Sequence, residues 1–299
     1  MTSRTRDGSA RVPRKYFRAR KKGVTETGEH PRRPKTVERP RSRLLGERRP
    51  ADPSARDDWQ RPATPDLDGL TEAQREVLAE AWLSDGLARH ADVASHARFT
   101  LRLLALGAPP DMVRASQRAS LDVIRHAEDS FSLASAYGQR AFGPGELGDG
   151  ASIVEPGDAR EAVVVAIRVG CIDDTIGAMA ATVAAETCRD EVVAKILRRI
   201  AVDQTRHAGL AWRFVRWALS EIDGGLHRAV DEAFERALGE HPPVDEHPAP
   251  DWMRLRGRLS RQERACLAAS TLREVIQPCA EAVLATRDDA SNDDLPFGA

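Results

Sequence analysis

One five-residue phrase occurs in two variants, Val123-Ile-Arg-His-Ala127 and Gln204-Thr-Arg-His-Ala208, with the histidines 81 positions apart. Each copy sits late in a long stretch whose apolar residues recur with helical spacing. Two halves built alike therefore each deliver a histidine from the same place on a helix.

Start and stop signals divide the chain around these phrases. Thr71-Glu-Ala-Gln74 is a capping box, in which side chain and backbone satisfy each other's orphan groups, and predicts a helix to about Leu106. Gly107-Ala-Pro-Pro110 stops it, and Asp111 opens a second helix to about Tyr137. Residues 138–156 are rich in Gly and Pro and predict a long connection. Asp158-Ala-Arg-Glu161 caps a third helix to about Thr187, Cys188-Arg-Asp190 turns the chain, and a fourth helix ends near Glu221. Leu226–Gly239 reads as a shorter helix, and Ser260-Arg-Gln-Glu263 caps a last one that Pro278 should kink or break. Val93, Ala97, Thr100, Leu101 and Leu104 share one face of the first helix. Ile196, Ile200, Gln204, His207 and Leu210 share one face of the fourth. Ala162–Ile167, though β-branched, continues a helical period and reads as buried helix.

Charge is partitioned sharply. Residues 1–49 hold 17 Lys/Arg against 5 Asp/Glu, and the other 250 residues hold 28 against 41, so +12 and −13 sum to the net −1. The basic stretch lacks apolar runs, cannot bury enough surface to offset its chain entropy, and is expected to be disordered. It could attract nucleic acid through phosphates, but it carries no recognition helix or zinc-finger spacing. The expected organisation is a basic tail at 1–49, a linker at 50–69, a bundle at 70–222, accessory helices at 223–288 and a tail at 289–299. No signal-peptide pattern follows the basic start and no apolar run approaches the ~18 residues of a membrane span. The four cysteines form no Cys-x-x-Cys pair and read as buried free thiols. A cytoplasmic protein is expected.

Ala105-Leu-Gly-Ala-Pro-Pro110, Arg125-His-Ala127, Gly170-Cys171, Arg206-His-Ala208 with Ala211-Trp-Arg213, and Glu274-Val-Ile-Gln-Pro-Cys-Ala280 resemble a bacterial ferritin-like group, over roughly residues 50–285. The resemblance implies an all-α, ferritin-like four-helix bundle with one long crossover, plus C-terminal helices. Its broader superfamily stores iron, scavenges peroxide or activates dioxygen at paired metals held by carboxylates and two Glu-x-x-His motifs.

Carried over position by position, that ligand set is largely erased. The first-helix glutamate falls at Arg89, the third-helix glutamate at Asp174, and the two Glu-x-x-His motifs become Val123/His126 and Gln204/His207. Paired divalent ions need several carboxylates to neutralise them in a bundle core, and a guanidinium at Arg89 would repel them. The favoured reading is a metal-poor, non-catalytic relative in which Arg89 pairs with Asp174, while Gln204 and the histidines complete a polar core. The rival is an iron-dependent oxidoreductase with a reduced site of His126, His207 and Asp174, for which iron, manganese or zinc could serve. Nucleic-acid association through residues 1–49 is a weaker alternative, and homo-oligomerisation is left open. His90, Asp92, His96, Asp173 and Asp203 read as surface or boundary neighbours of the inward positions.

Overall fold

In a computed structural model of the chain, the residues described are 50–148, 158–222, 225–239 and 250–285. The expected tails at 1–49 and 289–299 lie outside them. The protein is all-α: α1 Glu72–Ala105, α2 Pro110–Gly138, α3 Ala159–Ala166, α4 Thr175–Thr187, α5 Glu191–Glu221, α6 Leu226–Gly239, α7 Asp251–Arg254, α8 Arg261–Thr271 and α9 Gln277–Ala285. A π-helical segment, Ile167–Asp174, joins α3 to α4, and another, Leu272–Ile276, joins α8 to α9. A two-residue antiparallel pair, β1 Pro53–Ser54 with β2 Gly143–Pro144, is the one sheet among the described residues.

The ends of the helices follow from their capping residues. Thr71 and Gln74 make the reciprocal box at α1, and Ser260 and Glu263 repeat it at α8. At α3 half of the box forms. Asp158 accepts from the Glu161 N–H at 2.8 Å, while the Glu161 carboxylate turns away to meet Arg102 at 2.5 Å. After α1, Gly107 takes φ +69°, and the N–H groups of Ala108 and Gly107 bond Leu103 O and Leu104 O, closing the helix as a Schellman motif.

Close contacts give the sense of each helix. Thr100 bonds Ser116, and Gly86 lies against Phe131, so α1 and α2 run antiparallel. Gly170 lies against Ala211 and Gly177 against Gln204, so the α3–α4 rod is antiparallel to α5. Asp122 meets His207 and His126 meets Asp203, so α2 is also antiparallel to α5. It follows that α2 is parallel to the α3–α4 rod. Most of the connection expected at 138–156 lies outside the described residues.

Two apolar cores fill the interior. One gathers Leu103, Val163, Ile167, Phe214, Val230 and Ile276, and the other Leu78, Trp82, Leu133, Ala184, Ile196 and Ile200. Along α5 the second core ends at Ala201 and the first begins at Leu210, with a polar layer between. The C-terminal helices dock through Arg258, which bonds Asp85 at 2.6 Å and stacks its guanidinium 4.7 Å from the Trp82 ring centre.

Four expectations need correction. The α1 face was misplaced: Leu101 and Leu104 are exposed, and the buried side carries Leu78, Trp82, Thr100 and Leu103. Residues 50–69 do not behave as a linker within the structure. Trp59 packs edge-on against His90, Arg61 N–H bonds Ser132, and Asp66 N–H bonds Asp190. Cys171 is buried, but Cys266 and Cys279 are exposed free thiols. Pro278 does not break the helix: helical structure continues through it, the π segment just before it offering looser i→i+5 bonding where proline lacks an N–H. No helix among the described residues is long and apolar enough to cross a membrane.

Candidate functional site

The polar layer is built from two short runs with the same spacing, Asp122-x-x-Arg125-His126 on α2 and Asp203-x-x-Arg206-His207 on α5. Positions i, i+3 and i+4 share a helix face, so each run points a carboxylate, a guanidinium and an imidazole the same way. Because the helices are antiparallel, the two runs meet crosswise. His126 Nε2 donates to Asp203 Oδ2 at 2.9 Å, and His207 Nε2 donates to Asp122 Oδ2 at 3.2 Å. Arg125 bonds Asp122 on its own helix and Asp203 across the gap at 3.3 Å. Arg206 bonds Asp203 on its own helix and Asp122 across the gap at 2.9 Å. Every charge in the cluster has an opposite neighbour, which is what burial at this depth demands.

These contacts set the protonation states. Burial first, then the nearby His126 and Arg206 and Arg89, push His207 down to about 3. His126 is likewise held below the ordinary imidazole value, chiefly by burial and against the pull of Asp203. Burial raises the Asp203 carboxyl, but the His126 hydrogen bond and the two guanidiniums outweigh it and hold it below its ordinary value. The histidines are therefore neutral at pH 7, with Nε2 protonated to serve the carboxylates. The Nδ1 of His126 is buried without a hydrogen-bond partner among the described residues.

Asp203 is buried, contrary to the expectation that it is solvated. Asp122, absent from the expected site, has the matching role. The signal was present: an aspartate precedes the histidine by four residues in both copies. His96 also belongs here, its ring 5.4 Å from that of His207. Asp173 is exposed, as expected.

The other candidate residues fall around this layer. Arg89 is half-buried, and its charge lies near enough to depress both histidines. Its ion pair is with Asp92 at 3.4 Å, one turn along α1, rather than with the expected Asp174. Asp174 is buried at the end of the first π segment, where its charge acts on Cys171. A π segment carries more residues per turn, so counting through Ile167–Asp174 with a 3.6 period loses the register. Gln204 is buried, its amide crowding the Cα of Gly177 so that an added Cβ would lie 2.7 Å from Nε2, and its Oε1 has no hydrogen-bond partner among the described residues.

A di-metal centre does not fit these residues. At the positions where the resemblance would place carboxylate ligands, Val123 presents a buried apolar side chain, Gln204 is neutral, and Arg89 supplies a cation. Among the described residues, no three His, Cys, Asp or Glu side chains converge as a metal site. What the geometry provides is a pair of carboxylates that fix the tautomer and orientation of two histidines. No family model, curated protein or solved structure matches this chain.

Proposed function

We propose that this protein is a ferritin-like four-helix bundle whose metal centre has given way to a polar core, and that it does not carry out metal-based redox catalysis. One observation carries the reading. Both histidines are held through Nε2 by the opposing aspartates, while the positions that should supply metal-binding carboxylates are Arg89, Val123 and Gln204. The parallel relation of α2 to the α3–α4 rod supports the bundle, since it demands one long crossover between two tight hairpins. The test is metal analysis by mass spectrometry after expression with iron, manganese or zinc and exhaustive dialysis. The expected result is a trace content that does not change in a His126→Ala variant. Stoichiometric iron that His126→Ala abolishes would overturn the reading.

A second reading is favoured by the buried, unpartnered Nδ1 of His126. A histidine oriented by a carboxylate through one nitrogen and bare at the other is the usual state of a metal ligand. In that reading His126, His207 and Asp174 hold one iron, manganese or zinc ion for an oxidoreductase. The same measurement decides between the two, because a mononuclear site would retain about one ion per chain.

A further inference from the structure

The two copies of the Asp-x-x-Arg-His run are alike, but their surroundings are not. Beside the first copy, Glu128 and Asp129 follow on α2 and neutralise guanidiniums. Arg199 meets Asp129 at 2.5 Å, and Arg61 meets Glu128 at 3.2 Å. Shifted by the same 81 positions, the partners of Arg199, Glu128 and Asp129 are Arg118, Gly209 and Leu210. The second copy thus keeps the arginine and loses both carboxylates. Where they would stand, a cavity of about 530 Å³ opens between α2 and α5.

Four arginines line it: Arg114 and Arg118 one turn apart on α2, and Arg206 and Arg213 two turns apart on α5. Among the described residues, Arg114, Arg118 and Arg213 have no carboxylate partner, while Arg206 reaches Asp122 on the cavity floor. Asp111 and Asp122 are the acids of the lining, so its four guanidiniums outnumber its carboxylates by two. Gly209 leaves it open: a Cβ built there meets nothing within 4 Å.

We propose that this cavity binds the phosphate group of a small phosphate monoester, the ligand's dianion standing where the first copy has its own two carboxylates. A monoester near pH 7 carries close to two charges and three terminal oxygens, which several guanidinium forks can share. A single carboxylate, with one charge and two oxygens, would satisfy one fork. The volume lies within the range of small-molecule pockets and exceeds what free phosphate needs, so the organic part of the ester fits beside the phosphate. The site rests on the cavity's own residues and is independent of the metal content of the core.

The test is isothermal titration of the full-length protein at ~0.15 M salt, where loose surface attraction is screened. The probes are adenosine monophosphate, ribose 5-phosphate, inorganic phosphate, citrate and a single-stranded oligonucleotide. The variants are Gly209→Glu, Gly209→Ala and Arg118→Gln. Both glycine variants should fold, since the position is open and glycine is a poor helix former. Saturable binding of a monoester with Kd of ~1 mM or tighter is expected, unchanged in G209A and weakened about tenfold, or ~1.4 kcal/mol, in G209E and R118Q. Inorganic phosphate should compete more weakly. The proposal is overturned if no monoester saturates, if G209E binds as well as wild type, or if citrate binds as tightly. An oligonucleotide that binds more tightly than either monoester and is weakened by G209E and R118Q, which separates the cavity from the basic stretch at 1–49, would equally overturn it, in favour of a nucleic-acid surface.

Discussion

Asp203 accepts from His126, Arg125 and Arg206, so its charge is the meeting point of three donors from two helices. Asp203→Asn keeps the shape and removes the charge, and should destabilise the protein by roughly 2–3 kcal/mol in urea unfolding. The figure stays below the ~3–5 kcal/mol of a fully enclosed pair because the half-buried guanidiniums can turn toward water. Asp122→Asn should cost about the same, and the double variant less than the sum, since both aspartates share both arginines. Single effects below about 0.5 kcal/mol would show that the network adds nothing beyond its solvated parts. At this scale His126, His207 and Gln204 were legible, because the repeat and the helical period both put them inward. The aspartates were not, because a charged residue beside an inward position reads as solvated until its partner on another helix is known. Arg89 was placed near the histidines by its position, but its carboxylate was misjudged for the same reason: a partner one turn along its own helix competes with one across the core.

Helix ends were legible to within a residue or two, since caps are local chemistry, whereas helix faces and docked segments depend on what lies opposite. On α1 the apolar residues occur on several sides, so periodicity alone selected Leu101 and Leu104, which are exposed. The π segment leaves no local sequence mark, and the docking of residues 50–69 depends on distant groups such as Ser132 and Asp190. Asp190 itself joins three elements: it caps α5 by accepting from the Val192 and Val193 N–H groups, and it accepts from the Asp66 N–H at 2.8 Å. Arg256 lies 3.7 Å away. Asp190→Ala should therefore cost about 2 kcal/mol, the upper end for a lost cap, because the hydrogen bond from the Asp66 N–H is lost along with the cap. Hydrogen exchange should show the Asp66 amide losing protection together with the first turn of α5. Unchanged exchange at Asp66 would separate the strap from the cap. Gly170 offers a packing test, since a Cβ there would lie 2.2 Å from the Ala211 Cβ. Gly170→Leu should destabilise by at least ~1–3 kcal/mol, measured by thermal melting against Gly209→Ala as the tolerated glycine change.

Between its two apolar cores the molecule keeps a layer of ionised carboxylates and neutral imidazoles, and this makes its global stability depend on pH in a definite direction. In the unfolded chain a histidine titrates near 6.5. In the folded protein His207 is pushed down to about 3 and His126 is also lowered. As pH falls below about 6.5 the unfolded chain takes up protons that the native core refuses, so unfolding becomes more favourable. Stability from these groups is thus fully present above about 6.5 and is lost as pH falls toward 3. The limiting slope is about 1.4 kcal/mol per pH unit for each histidine that stays neutral. Asp203, held below its ordinary value, adds a loss in the same direction at more acid pH. The urea midpoint should hold level from pH 8 to 7 and decline steadily from 6.5 to 4.5. His207→Gln offers Asp122 an N–H from a group that does not titrate, so it should lower stability at pH 7 yet flatten the decline. A wild-type midpoint that stays level or rises between pH 6.5 and 4.5 would mean that the histidines take up protons in the folded state, with both aspartates balancing two imidazolium ions.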